Sequence, residues 1–539
     1  MNNPIRPQWG IIGLALLASY WTSALAQTAP AEAPPLERFV VKSVRVEGNT
    51  LLPESKLSAI GARLVGNERT LGDLRQGAAL VQQAYRDAGY GGVVAYIPEQ
   101  ELAEGTVIIR VVEGKLARVR IVGNQRYDEA NIRHSLPSLR EGETPRVAAI
   151  DRDIQLANEN PAKQVQVELT AGDKPTDIDA NVALAEADPK RILLTLDNTG
   201  TPDTGLYRLS AGVQHANLWN RDHIGTLQYQ TSPSEPSLVR IYSAGYRMPL
   251  YGYASTIDAY YAHSSVDNGT SVTPAGPLAF TGKGDFAGLH LNRYLPRRGE
   301  YDHRVTFGVD WRDYQNQCSL GTFGSAGCGT AGASVTVLPI SLAYTGQVQT
   351  PQTWWGASAA IGHNVDGSSQ AAFDAARPGA KKEYDIFRLS AYAGHNLPAG
   401  FGVQARLSGQ FSPDALIPGE QFGLGGAESV RGYFERELAG DYGFYVSLEG
   451  LGPPLVGRTD KSASVRPLVF FDYGHITNHK DTPCFRTESS CTLSGVGFGL
   501  RLTLSRWLAG RLDVAYAIDD STQTTAGTVR VHFALNAVF

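Results

Sequence analysis

Methionine and cysteine are scarce in this chain: its 539 residues hold two Met and four Cys. Positive charge is not in excess, and no apolar run is long enough to cross a membrane as a helix. Each shortage excludes something. Lys and Arg number 48 against 53 Asp and Glu, a formal net charge of -5, which argues against nucleic acid as the main partner. Without an apolar run of roughly 18 residues, the chain can enter a bilayer only as a closed barrel, because backbone groups need internal partners there. No HExxH helix, Walker phosphate loop or strand–helix G-x-S-x-G elbow occurs, so no catalytic residue, metal or cofactor is expected. What is plentiful suits strands and turns better than helix bundles: 58 Gly, and 24 Tyr against 18 Phe. A chain of this length should hold more than one folded unit.

The start, MNNPIRPQWGIIGLALLASYWTSALAQ, has a positive Arg6, an apolar core at residues 11–18 and a small-x-small site at Ala24-Leu25-Ala26. That is the layout of a cleaved signal peptide over residues 1–26, with Gln27 as the mature start and an exported protein as the consequence. The four cysteines form two close pairs in polar surroundings, Cys318 with Cys328 and Cys484 with Cys491. In an oxidising compartment two loop-stapling disulfides are the expectation. Zinc is the rival, disfavoured because no histidine lies at ligand spacing beside either pair.

Residues 27–37, QTAPAEAPPLE, read as a proline-rich extended tether. Val41, Val44 and Val46 then give a short strand, Gly48-Asn49 a turn, and Pro53 a helix start in the tolerated first turn. A second helix should begin at Thr70, with Asp73 completing a capping box, and stop at residues 89–92. VVAYIP and TVIIRVVEG follow as strands, making a β-α-α-β-β module over 38–114. The pattern recurs, since VKSVRVEGNTLL is echoed by LARVRIVGNQRY, so a second such module is expected over 115–189. Its central strand should come from NPAKQVQVELTAG, residues 160–172.

From Arg191 on, apolar and small or polar residues alternate with period two. Val496, Phe498, Leu500, Leu502 and Leu504 fall on one face of a strand, and Gly497, Gly499, Arg501, Thr503 and Ser505 on the other. Leu512, Val514, Tyr516 and Ile518 oppose Asp513, Ala515, Ala517 and Asp519 in the same way, and Leu227 and Tyr229 oppose Thr226, Gln228 and Gln230. About sixteen such segments, with tight turns alternating with long loops and aromatics near strand ends, predict an antiparallel transmembrane β-barrel over 190–539 rather than a soluble sandwich or propeller. Asp258, Asp513 and Asp519 read as pore-lining residues rather than as a catalytic pair. The final strand, VRVHFALNAVF, puts Val531, Phe533, Leu535, Ala537 and Phe539 on one face. Its terminal Phe resembles the signal by which bacterial outer-membrane proteins are recognised by the barrel assembly machinery.

Two β-α-α-β-β modules before such a barrel resemble the transporters of two-partner secretion (TpsB), the ShlB/FhaC/HecB family, with ShlB-type POTRA domains. The likeness is carried by YIPEQELAEGTVIIRVVEGKL (96–116), LDNTGTPDTGLYRLSAGVQHANLWNRD (196–222), VRGY (430–433) and FFDYG (470–474), and it covers nearly the whole mature chain. It implies an outer-membrane barrel with periplasmic POTRA domains. An unfolded exoprotein, such as an adhesin, haemolysin or contact-dependent toxin, would be captured by β-augmentation on a POTRA edge and threaded through the pore without ATP. It also implies a monomer.

The same resemblance gives a meaning to GLGGAESVRGYFERELAGDYG (423–443). In relatives a long loop carrying VRGY folds into the lumen, where its arginine meets the acidic residue of an F-x-D-x-G strand motif. The positions here are Val430, Arg431, Gly432 and Tyr433 in a loop near 421–440, and Phe470, Asp472 and Gly474 on the strand. Leu468, Phe470, Asp472 and Gly474 share one face, so Asp472 should point inward, and the planar fork of arginine suits the pairing. A phosphate cradle is disfavoured because no GK[ST] follows the glycines. The chain departs from many relatives in one respect: residues 27–37 are too short and proline-rich to hold both a pore-plugging helix and its linker. The competing function is a BamA- or TamA-like insertase, which shares the barrel and loop but usually carries more POTRA modules.

Overall fold

The computed structural model describes residues 38–101, 103–266, 269–273, 276–280, 283–315, 334–456 and 463–539. The expected signal peptide and tether lie outside the described residues, and so do Cys318 and Cys328. The chain divides into two compact units. Among the described residues, one comprises 38–47, 53–80 and 96–110, the other 48–52, 81–95 and 111–539.

In the first unit, Arg38–Val41 pairs antiparallel with Gly66–Thr70, and Ser43–Glu47 pairs parallel with residues 106–110. The single strand expected across Val41, Val44 and Val46 is therefore two. The break falls at Lys42, whose N–H bonds to the Gly105 carbonyl at 2.8 Å, while Val41 packs with Leu74 and Val107. Pro53 stands just ahead of the helix Glu54–Ala62 rather than inside its first turn. The next helix, Leu71–Asp87, has the reciprocal cap: Asp73 accepts from the Thr70 N–H at 2.8 Å, and its own N–H donates to Thr70 Oγ1 at 3.2 Å.

The second unit contains a three-stranded sheet and the barrel. The sheet runs in the order Lys115–Val122, Asp177–Glu186, Lys163–Ala171, beside helices Glu129–Ser135 and Val147–Ala157. Lys163–Ala171 is thus an edge strand, not the central one. The centre is taken by Asp177–Glu186, which lies parallel to Lys115–Val122 after the helical crossover and antiparallel to Lys163–Ala171.

Sixteen antiparallel strands among the described residues close into a barrel, from Lys190–Asp197 to Val529–Val538. Closure pairs the last strand with the first, from Ala534 opposite Asp197 to Val538 opposite Leu193. The period-two pattern sorts side chains by environment. Val496, Phe498, Tyr516 and Val531 face outward and are exposed, whereas Asp472, Asp513, Ala515 and Ala517 face inward and are buried. One rim has short turns, such as residues 219–222 and 350–352, and the chain enters the barrel at that rim from Asp177–Glu186. The other rim carries the long loops. There an apolar cluster of Ile241, Phe286, Val337, Leu416 and Ile417 gathers around Phe373 of a short helix, Gln370–Ala376.

Candidate functional site: a lumenal loop anchored by buried arginine

Residues 412–441 connect the strands Gly402–Phe411 and Tyr442–Leu451. Within this loop Phe422–Leu424 pairs antiparallel with Leu438–Gly440, so the residues between them form a projecting tip. Val430 and Tyr433, both fully buried, pack with Leu424, Leu438, Ile476 and Leu493. That cluster is why the tip rests against the wall instead of in water. Gly432 has φ +106°, a conformation that side-chain-bearing residues rarely adopt. Gly474 leaves space for the loop: a Cβ there would stand 2.2 Å from Leu424 Cδ1, so the buried Leu424 side chain would have to shift.

Arg431 lies at the centre. Its Nε donates to Asp472 Oδ2 at 2.7 Å and its Nη2 to Asp472 Oδ1 at 2.8 Å, a bidentate fork. The Arg431 backbone N–H adds a bond to Asp472 Oδ2 at 3.1 Å. Nη1 donates to Glu449 Oε1 at 2.7 Å, Nη2 also reaches Ser447 Oγ at 3.1 Å, and the guanidinium lies 3.4 Å above the Phe470 ring centroid. The side chains of Arg431 and Asp472 are 1% and 0% exposed. A buried arginine is tolerated only with its donors matched, and two carboxylates and a ring face match it here.

The rest of the motif holds the tip to other strands. Gly432 N–H donates to His532 Nε2 at 3.0 Å, on the last strand. Tyr433 OH lies 3.0 Å from the Ser494 carbonyl and accepts the Asp519 N–H at 2.9 Å. The structure thus brings Val430, Arg431, Gly432 and Tyr433 together with Phe470, Asp472 and Gly474. It adds Glu449, Ser447 and His532, which the sequence reading did not single out. Glu449 and Ser447 were within its reach, because SLEGL alternates and places both on the inward face. His532 was too, by the same alternation on VRVHFALNAVF, although nothing in the sequence says which group it meets.

Two further ion-pair clusters tie the loop down, and neither has a sequence motif. Arg377 forks onto Asp441, with Nη2 to Oδ2 at 2.9 Å, and its Nη1 reaches the Leu416 carbonyl at 2.6 Å. Glu420 accepts from Arg312 at 2.8 Å and from Tyr314 OH at 2.7 Å.

Of the two disulfides expected from the sequence, one is seen among the described residues. Cys484 and Cys491 are bonded, with Cα atoms 6.2 Å apart, and Cys491 belongs to the same apolar cluster as Val430 and Tyr433. The other expected bridge, between Cys318 and Cys328, falls outside the described residues.

A separate buried pair joins the Lys163–Ala171 sheet to the barrel. Lys163 Nζ donates to Asp222 Oδ2 at 2.5 Å and to Asn131 Oδ1 at 3.0 Å, and Tyr251 OH donates to the same carboxylate at 2.6 Å. Asp222 sits in the short turn after Arg208–Leu218. Among the described residues, no group of three His, Cys, Asp or Glu is placed to hold a metal ion.

A family model described as haemolysin secretion/activation protein ShlB/FhaC/HecB matches residues 176–502, more than half of the chain. A model of the POTRA domain, ShlB-type, matches residues 39–114. The outer membrane transporter CdiB of Dickeya dadantii is 26% identical over 516 residues, spanning 93% of this chain and 87% of the relative. The heme/hemopexin transporter protein HuxB of Haemophilus influenzae is 23% identical over 510 residues, with 90% and 84% covered. The solved structure of CdiB from Escherichia coli superposes with a TM-score of 0.76 at 21% identity, covering 96% of this chain and 93% of that one, a likeness of fold.

Proposed function

Since the chain belongs to the haemolysin secretion/activation protein ShlB/FhaC/HecB family, we propose that it exports one large exoprotein and that the Arg431-anchored loop governs passage through its barrel. The chain is an outer-membrane transporter of two-partner secretion, with its barrel in the outer membrane, its POTRA domain in the periplasm and a secreted exoprotein as its partner. In the proposed cycle, residues 115–189 act as a second POTRA domain, and the unfolded exoprotein is captured in the periplasm before it enters the barrel. Folding outside the cell favours outward movement without ATP. The cargo is an adhesin, haemolysin or contact-dependent toxin, and the chain works as a monomeric transporter rather than as an enzyme, after insertion by the barrel assembly machinery.

The observation that carries this reading is the loop itself. A wall-to-loop anchor with a bidentate buried arginine, inside a sixteen-stranded barrel, is a defined arrangement of the export path that a passive pore does not need. The test is co-expression of this gene with a neighbouring large exoprotein gene in a laboratory bacterium, with and without the transporter. Exoprotein in the medium only when the transporter is present is the expected outcome. Release that is independent of it would refute the reading, and barrels misassembling on its deletion from the native host would favour an insertase.

A further inference from the structure

Between Leu424 and Tyr433 every residue of the loop tip is buried except Glu428. Its carboxylate, 62% exposed, is held by two arginines alone: Oε1 lies 2.5 Å from Arg511 Nη1, and Oε2 accepts from Arg406 Nη1 at 3.3 Å. The other tip carboxylates bond to backbone. Glu435 accepts the Ala427 N–H at 2.7 Å, and Glu437 accepts the N–H groups of Phe434 and Thr524 at 2.8 and 2.7 Å. Glu428 has no such hold and is the most weakly fixed acid of the tip.

The arginines that hold it are placed for another ligand. Arg406 stands on Gly402–Phe411 and Arg511 on Leu508–Ala517, with three strands between them in barrel order. At about 4.8 Å per strand that is roughly 19 Å of wall, so both side chains converge on one point over the lumen. They line a cavity of about 240 Å³ with Trp354, Tyr392, Gln404, Arg501 and Glu449, whose own carboxylate is already taken by Arg431, Arg501 and Gln404. Arg511 Nε is buried with no hydrogen-bond partner, so this guanidinium has a donor to spare. The cavity is also near the short-turn rim. Trp354 and Gln404 lie one and two residues inside strands that start at Thr353 and Gly402, and Arg511 lies three residues inside the strand that starts at Leu508. A chain arriving from the periplasm meets this cavity early.

We propose that Arg406 and Arg511 form a carboxylate-binding subsite on the export path, that Glu428 fills it at rest, and that an acidic side chain of the exported polypeptide takes Glu428's place. The proposal rests on the transporter reading for the identity of the incoming chain, though not for the subsite itself. The exchange is nearly isoenergetic, because one carboxylate replaces another on the same two guanidiniums, so it adds little to the barrier for entry. It frees one contact of the tip while the Arg431 anchor stays in place. Trp354 and Tyr392 offer flat apolar faces beside the arginines, which suits an extended segment with an acidic residue next to an apolar one.

The experiment is equilibrium binding of fluorescein-labelled decaglutamate to the full chain in detergent, followed by anisotropy, with labelled decalysine as the control. Wild-type protein should bind decaglutamate, more weakly as salt rises, and should not bind decalysine. Glu428→Gln, which leaves a neutral and more weakly held amide on the two guanidiniums, should tighten decaglutamate binding about tenfold, and Arg406→Gln with Arg511→Gln should weaken it at least tenfold. The shift from folded to heat-unfolded mobility on gels reports whether each variant keeps its barrel. Should the double variant not fold, Glu428→Gln alone decides, since that side chain is exposed. Equal binding by all three proteins, or weaker binding by Glu428→Gln, would overturn the subsite. Exoprotein release that ignores the transporter while peptide binding follows this pattern would refute the transporter reading and leave the subsite standing.

Discussion

Arg431 carries more of the anchor than any other residue, and the reason is stoichiometric: one guanidinium satisfies Asp472 twice, Glu449 once and Ser447 once. Removing either member of such a pair strands a buried charge, a cost of about 3–5 kcal/mol. Arg431→Ala and Asp472→Ala should therefore leave a closed barrel, judged by heat-modifiable mobility, but release the tip, judged by protease access at residues 425–437. Arg431→Lys should fail as well, because an ammonium cannot reproduce the fork. At Glu113 the relevant variable is pH. This carboxylate accepts the Thr50 hydroxyl, the Thr50 and Leu51 N–H groups at 2.8 and 3.1 Å, and Tyr85 OH at 2.9 Å. Burial opposes its ionisation, yet these donors prevail and hold its carboxyl below the usual glutamate value. A lowered folded pKa stabilises above the unfolded value, about 4.3, and that contribution disappears as pH falls through the lowered value. Protection of the Thr50 and Leu51 amides from hydrogen exchange should follow that course, and Glu113→Gln should abolish it.

At the scale of elements, loops rather than strands determine what fills the lumen. Asp472, Asp513 and Ala515 were legible as inward residues because a strand alternates with period two, and Gly474 and Gly432 fall where the loop touches the wall. Arg377 and Asp441 were not legible. A long loop has no period, and the partners stand 64 residues apart. Lys163 was opaque for a similar reason: a lysine on an alternating strand reads as solvent-facing until Asp222, 59 residues on, is seen to cover it. The strand count of the first module was missed at Lys42, where one backbone bond to Gly105 splits a valine run. Two predictions belong here. Cys484→Ser with Cys491→Ser should raise hydrogen exchange in residues 478–489 and at Val430, because Cys491 packs in the same cluster. Lys163→Met, which leaves Asp222 with Tyr251 but no cation, should loosen the contact of the 115–186 sheet with the barrel turn at Asp222, read as faster proteolysis between residues 186 and 190.

The molecule as a whole is a barrel wall of inward acids and arginines, a loop that answers them, and a POTRA domain of the ShlB type at residues 39–114. Its architecture was legible from alternation and from the internal repeat. VRGY and FFDYG were two of the four runs that carried the resemblance to the secretion transporters, and the geometry gives those letters their work: Arg431 forks on Asp472, Phe470 lies under the guanidinium, and Gly474 leaves room for Leu424. The most direct measurement is the rate at which the cognate exoprotein reaches the medium from cells producing wild-type or Asp472→Ala transporter at equal outer-membrane abundance, with the barrel shown to be folded in both. The variant's rate should fall at least tenfold while its barrel stays intact. Export by the variant at the wild-type rate would contradict the proposed role of the anchored loop.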